Sequence, residues 1–341
     1  MTASLTVSLH DPHQPVPPSG WTEFIDAQRL IAAWSWSLVV AAAAGRVPVV
    51  AGTIHDGTGV VGLVTGRFIG PRVRRGARPV AGIVDIDSLT TSALPGIVLA
   101  AGADRAAQIE AVAAVRLALR REHGRRVRAI AFRQILEPAL PTVLRWPAVV
   151  REGGSVTWFP NTFDSFDAYL ASLKKKRRGD LRRIYSEVGN DTGLTVTSSL
   201  DGGPRPEITP ADLCALTDSV VNRHHRTWWL RRRYLSPVMA TALLAEPGTH
   251  LRAYRDGSGR LIAVHLVFDH HELPMSAIWG AYTVDEGGRR DLWYHSHAEL
   301  TRWCVETGRQ GFLGGQGSLV EKARLGQQVV RQWAVLIPQF R

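Results

Sequence analysis

Short apolar runs rich in β-branched residues alternate along this chain with longer segments whose apolar residues recur at helical spacing. No other feature restricts the fold as strongly, because strands separated by helices assemble into α/β layers. Residues 47–53 and 60–67 are apolar runs separated by His55, Asp56 and Gly57, a hairpin signal. Residues 80–85, 97–101 and 127–132 read as further strands. Asp104 caps a predicted helix that runs to about His123 and closes at Gly124. Beyond Gly153 and Gly154 come a strand at 155–159, a long helix over 164–188, a strand at 194–197 and helices opening at Pro210 and Pro237. Strands at 251–254, 261–268 and 275–283, a helix over 291–307, and strands at 311–313 and 329–337 complete the pattern.

The 341 residues exceed a domain of roughly 100–200 residues. The expected organisation is a proline-rich arm over 1–20, a first α/β domain over 21–150 and a second over 151–341. A hydrophobic share of 45% with 21% charged residues excludes global disorder. Cys214 and Cys304 alone cannot build a disulfide framework or a cysteine zinc site, and they fit a cytoplasmic location. No histidine pair has the helical i, i+4 spacing of a zinc site, so no metal is expected. The best candidate for a span, residues 30–45, is 16 uncharged residues, shorter than the ~20 residues of a spanning helix. The first residues lack a basic segment followed by an apolar one, so neither a transmembrane segment nor a leader is expected.

The formal net charge of +11 favours anionic partners, and its distribution is uneven. Lysine occurs only at 174, 175, 176 and 322, against 37 arginines. Residues 174–183 read KKKRRGDLRR, while Tyr169, Leu170, Leu173, Leu181, Ile184 and Val188 recur at helical spacing. One helix face is therefore buried and a basic ridge projects from the rest. Like charges crowded at that spacing repel, so the ridge points to phosphates, which arginine forks and lysine ammoniums bind well. Two glycine-rich turns follow. Gly287, Gly288, Arg289 and Arg290 precede a helix, where exposed N–H groups suit a phosphate or oxyanion. Gly314, Gly315 and Gly317 permit close backbone approach, with Lys322 shortly after. Residues 223–233 interleave arginines with Trp228 and Trp229, a mixture suited to stacking on bases. His265, on an apolar strand, reads as a hydrogen-bonded core histidine.

Residues 169–183, YLASLKKKRRGDLRR, resemble the basic helix of Fem-like acyltransferases of the GNAT superfamily. Residues 281–326 are similar to that family's closing pattern: strand, turn, helix ending Glu306, Thr307 and Gly308, short strand and Gly-rich turn. Lys322, Ala323, Arg324, Leu325 and Gly326 then stand where the family reads Lys-x-x-[Phe/Leu]-Gly. The glycine turn followed by lysine is most similar to the peptidoglycan biosynthesis/recognition branch, with a longer spacer from Ser318 to Glu321.

The resemblance implies an α/β fold of two GNAT-like (acyl-CoA N-acyltransferase) folds in tandem, with mixed central sheets flanked by helices. The first would be degenerate, and the second would carry the basic helix and the catalytic cleft. It implies amide formation by transfer of an acyl or aminoacyl group to an amine, with no tightly bound cofactor. The co-substrate would be aminoacyl-tRNA or acyl-CoA. Basic stretches at both 174–183 and 223–233 exceed what one pyrophosphate needs, so tRNA is the favoured partner and acyl-CoA the alternative. A non-catalytic RNA-binding protein would use the same surface. The acceptor would be an amine-bearing small molecule or a peptidoglycan precursor. Lys322 is the expected oxyanion or phosphate partner, with Gly315 and Gly317 supplying N–H donors. Lys174, Lys175, Lys176, Arg177, Arg178, Arg182, Arg183, Arg289 and Arg290 are the expected donor phosphate anchors. Trp228, Trp279, Tyr282 and His265 are the expected lining of the donor/acceptor pocket.

Overall fold

The computed structural model describes residues 4–71, 81–91, 93–223 and 234–339. These form two compact units, one reaching Val156 and resuming at Val330, the other Thr157–Val329. The first unit runs β1 (Thr6–His10), α1 (Trp21–Ala27), α2 (Trp36–Ala43), β2 (Val49–His55), β3 (Val60–Ile69), β4 (Gly82–Ile86) and β5 (Ile97–Leu99). It continues with α3 (Arg105–His123), β6 (Val127–Leu136), α4 (Leu140–Val143) and β7 (Val149–Glu152). The Asp104 carboxylate accepts the Ala107 N–H at 2.8 Å and starts α3 where the sequence places it. Ala111, Val112, Val115 and Leu119 form one stripe of that helix and pack with Val64, Phe68, Val84 and Ile130 of the sheet. Residues 1–20 are not wholly an arm, because β1 pairs antiparallel with β2 from Thr6↔His55 to His10↔Ala51.

The second unit begins with β8 (Val156–Pro160), α5 (Phe166–Ser172), α6 (Lys175–Gly189), β9 (Leu194–Ser198), α7 (Pro210–Asn222) and α8 (Pro237–Ala245). There follow β10 (Thr249–Asp256), β11 (Leu261–Phe268), β12 (Met275–Ala281), α9 (Leu292–Glu306), β13 (Gly311–Gly315), α10 (Leu319–Arg324) and β14 (Gln328–Val330). Its strand order is β14-β8-β13-β12-β11-β10-β9. The last strand, β15 (Gln332–Pro338), does not stay with this unit. It inserts between β6 and β7 of the first sheet, whose order is β1-β2-β3-β4-β6-β15-β7 with β5 on β3. The strand expected over 329–337 is thus two strands serving two sheets, and the C-terminal residues lie outside the second domain expected over 151–341.

The single helix expected over 164–188 is also two. Ser165 caps α5 by accepting the Ala168 N–H at 3.1 Å, and the Ser172 hydroxyl closes its last turn by donating to the Tyr169 carbonyl at 2.7 Å. Leu173 and Lys174 are then extended, which sends Leu173 into the core and lifts Lys174 out of the helical run. Leu181, Ile184 and Val188 of α6 share a core with Leu292, Ala298 and Leu300 of α9 and with Tyr254, Ala263 and Ala281 of the sheet. The neighbouring Gly280 points to the opposite face, where a Cβ would come within 2.8 Å of Leu216 of α7.

Candidate active site

Strands β12 and β13 are parallel neighbours joined through α9, and they hold together at one register position, Met275↔Leu313. The Leu313 N–H donates to the Pro274 carbonyl at 2.8 Å. From Ser276 onward, the β12 edge on that side has no strand partner among the described residues. The equivalent parallel pair of the first unit, β4 and β6, stays zipped from Gly82↔Val127 to Ile86↔Phe132. Open peptide groups at a strand edge are donors and acceptors available to a ligand. Of these two parallel pairs, the second unit's alone presents them in this way.

A buried polar network lies behind that opening. His265 of β11 has Nδ1 at 2.7 Å from the Ser296 hydroxyl and Nε2 at 2.8 Å from the Ser276 hydroxyl. Burial, then the neighbouring His297, Arg252 and Lys322, hold its pKa well below the ordinary histidine value. His297 stacks on His265 with centroids 5.3 Å apart and an interplanar angle of 11°. Its Nδ1–H donates to the Trp293 carbonyl at 3.1 Å, which leaves Nε2 as a buried lone pair without a partner among the described residues. Burial and the Lys322 charge lower its pKa to about 3. Both imidazoles are therefore neutral at pH 7. Arg252, 1% exposed, donates to the Ser296 carbonyl at 3.0 Å and reaches Glu299 at 3.4 Å. Glu299 also accepts from the Tyr185 hydroxyl at 2.7 Å and from Arg302 at 2.9 Å.

Lys322 is buried on α10, and all its donors are engaged. Nζ donates to the carbonyls of Gly314 at 2.5 Å, Gln316 at 3.1 Å and Gly315 at 3.4 Å. The ammonium thus gathers the glycine turn around itself. Gly314 is tight because a Cβ there would sit 2.3 Å from Thr157 Oγ1, and Gly315 and Gly317 hold φ of +72° and +79°. A Cβ on Gly315 would lie 3.3 Å from the Ser276 carbonyl, so the turn borders the mouth of the β12 opening. Burial lowers the Lys322 pKa to about 8.

The basic residues divide into tied and available groups. Arg177 pairs with Glu321 at 3.2 Å and lies over the Tyr294 ring at 5.0 Å, linking α6, α9 and α10. Arg183 pairs with Glu187 at 2.6 Å and with Asp291 at 3.2 Å, Arg289 pairs with Asp191, and Arg178 donates to the Ala171 carbonyl at 3.0 Å. The exposed side chains of Lys174, Lys175, Lys176, Arg182 and Arg290 make no ion pair or hydrogen bond among the described residues. Arg290 precedes the N-terminus of α9, whose first turn presents unbonded N–H groups and the positive end of the helix dipole.

Of the expected pocket residues, Trp279 packs beside His265 with centroids 6.0 Å apart. Tyr282 instead carries Arg260 over its ring at 4.5 Å. Trp228 lies outside the described residues, as does the rest of 224–233. No described helix is long and apolar enough to cross a membrane, and the described residues hold no cluster able to ligate a metal.

No family model matches the chain, and no curated protein matches it in sequence. Solved structures do. L-PGS from Bacillus licheniformis superposes with a TM-score of 0.60 at 11% identity, over 95% of this chain and 93% of that one. FemX gives 0.54 at 10% identity, over 84% and 88%. The fold is Fem-like. A domain from Agrobacterium fabrum, described as the C-terminal part of a lysylphosphatidylglycerol synthetase, shares it at TM-score 0.56 and 14% identity, over 94% and 91%. Two mixed sheets flanked by helices, one after the other in the chain, are the expected architecture and the observed one.

Within this Fem-like fold, Ser276 at the opening, and Ser296, His297 and Arg252 in the buried network behind it, were not singled out from the sequence. One signal was available. Residues 292–306 read LWYHSHAELTRWCVE and show no coherent polar face, which marks a helix buried nearly all round with its polar groups turned inward.

Proposed function

We propose that the second unit is an acyltransferase that moves an aminoacyl group from aminoacyl-tRNA to an amine, forming an amide. The observation that carries the reading is the parting of β12 from β13, and the basic start of α6 is tied through Arg177 to the first turn of α9, the helix that follows β12. An activated carbonyl seated at the open β12 edge meets peptide N–H donors, and its polyanionic carrier meets Lys174, Lys175, Lys176, Arg182 and Arg290. The tied Arg177, Arg183 and Arg289 keep α6, α9 and α10 in register around them, and Arg178 steadies the α5–α6 junction. The turn at Gly315 and Gly317 bounds the seat, and Trp279 and His265 form its inner wall. Lys322 contributes a fixed positive charge through the turn that it gathers. Neutral imidazoles and buried cations make the local potential positive, which favours the oxyanion of the tetrahedral state. The amine proton leaves with the departing oxygen of the donor.

Acyl-CoA satisfies the same chemistry with fewer phosphates, so donor choice rests on the number of free cations. The test is donor discharge followed by mass spectrometry. Charged tRNA and acyl-CoA are each incubated with a small amine, a peptidoglycan-precursor peptide or phosphatidylglycerol vesicles, the last prompted by the name of the Agrobacterium neighbour. Discharge of tRNA with amide product is the expected result. Discharge of acyl-CoA alone reassigns the donor, and an ester on the lipid reassigns the acceptor. Salt-sensitive RNA binding without discharge makes the protein an RNA binder.

A further inference from the structure

The chain Ser296–His265–Ser276 has a direction, set by which imidazole nitrogen carries the proton, and hydrogen-bond accounting favours one of the two. Ser296 is fully buried, and its hydroxyl lies 2.7 Å from His265 Nδ1, with the Tyr254 hydroxyl as a second, looser partner. An unprotonated Nδ1 gives the buried Ser296 proton its short 2.7 Å partner, whereas a protonated Nδ1 would turn that proton to the looser Tyr254 contact, a poorer arrangement in a dry interior. The Ser296 hydroxyl therefore donates to Nδ1, and the ring carries its proton on Nε2. That proton points at the Ser276 oxygen 2.8 Å away. The Ser276 hydroxyl, half-buried on β12, is then left with its own proton and no acceptor among the described residues. Ser276 is also the residue at which β12 leaves β13. A hydrogen-bond donor thus stands where β12 leaves β13, at the end of a buried relay whose members all donate in one direction.

Resting on the acyl-transfer reading above, we propose that the Ser276 hydroxyl is a catalytic oxyanion donor, and that His265 and Ser296 are positioning residues that set its direction. The amine nitrogen attacks the donor carbonyl carbon, and the C=O π pair moves onto oxygen, where the Ser276 O–H donates to it. Collapse restores the carbonyl and breaks the bond to the donor's ribose oxygen. That oxygen departs with the proton released by the amine. Ser276 is not acylated, because both nitrogens of His265 face serine hydroxyls, with no carboxylate hydrogen-bonded to it among the described residues, and the cations Arg252 and Lys322 disfavour the imidazolium that a serine nucleophile would create. The positive surroundings favour an anion at the hydroxyl's tip instead.

The experiment compares wild-type protein with Ser276→Ala, Ser276→Thr and Ser296→Ala in the discharge assay, together with 15N NMR of histidine-labelled protein. His265 is assigned in the spectra by its disappearance in His265→Gln. Loss of one oxyanion donor in Ser276→Ala should lower kcat about 10²–10³-fold with donor KM unchanged. Ser276→Thr should retain most of the turnover, because the hydroxyl is kept. Ser296→Ala should lower kcat with KM unchanged and move the proton from Nε2 towards Nδ1 in the spectrum. Three results each overturn the assignment: wild-type turnover in Ser276→Ala, a His265 protonated on Nδ1 in the wild type, or an acyl adduct on Ser276 when acceptor is omitted. Absence of discharge by the wild type would instead refute the acyl-transfer reading, whereas the tautomer measured by NMR stands independently of it.

Discussion

A lysine ammonium held by three carbonyls in a dry turn has little freedom to serve as a flexible phosphate hook. Lys322 acts on its surroundings through charge and through the shape it imposes on residues 314–316. Because burial brings its pKa down to about 8, the charge is present below that pH and is lost as pH rises through it. Deprotonation removes one of the donors that gather the turn and lowers the positive potential beside His265. With hydroxylamine as acceptor, an amine that is neutral across the range, turnover should fall above about pH 8. A profile that stays level to about pH 9.5 would show that the ammonium does not matter to the reaction. The sequence made Lys322 conspicuous by rarity, yet nothing in its spacing told that its donors would all be spent on backbone. His265 was legible as a hydrogen-bonded core histidine, and so it is. Its partner Ser276 was not, since a serine on an apolar strand gives no signal until the strand's neighbour departs.

At the scale of the element, the break at Leu173 and Lys174 decides what the basic ridge can do. A single helix over 164–188 would place all its cations in one continuous row. The observed α6 starts at Lys175 with three lysines crowded at its first turn, no acidic residue to offset them, and no side-chain cap. Cations at a helix N-terminus are unfavourable with the dipole, so an external anion there relieves a local electrostatic cost. The ridge was legible from composition. The division of its members was not, because Glu321, Asp291 and Asp191 are distant in sequence from the arginines they hold. That division yields contrasting expectations. Reversing Lys175 and Arg182 to glutamate should weaken donor binding and reduce the slope of log K against log salt by roughly 0.7–0.9 per lost phosphate contact. Arg177→Ala should leave that slope unaltered and lower the melting temperature, because its guanidinium ties α6 to α10. An unchanged slope in the double reversal would relegate the ridge to solubility.

Across the whole molecule, two α/β units of one general pattern differ in one respect that matters for chemistry. In the first, the parallel pair β4 and β6 stays hydrogen-bonded along its length, while in the second β12 and β13 part at once. The alternation of strands and helices made both units readable from the sequence, and the Asp104 and Pro210 helix starts fall where their caps predict. The return of β15 to the first sheet was not readable, because an apolar strand suits either sheet and only long-range pairing decides. The site's placement in the second unit is the central claim, and hydrogen–deuterium exchange tests it most directly. The wild-type protein is measured alone, with an amide-linked, non-hydrolysable aminoacyl-tRNA, and with a thioether analogue of acyl-CoA. Slowed exchange over 276–281, 287–293 and 314–318, with β4 and β6 unaffected, is the result predicted for the true donor. Protection confined to β4 and β6, or absent from the β12 edge while the tRNA is bound, would contradict the account.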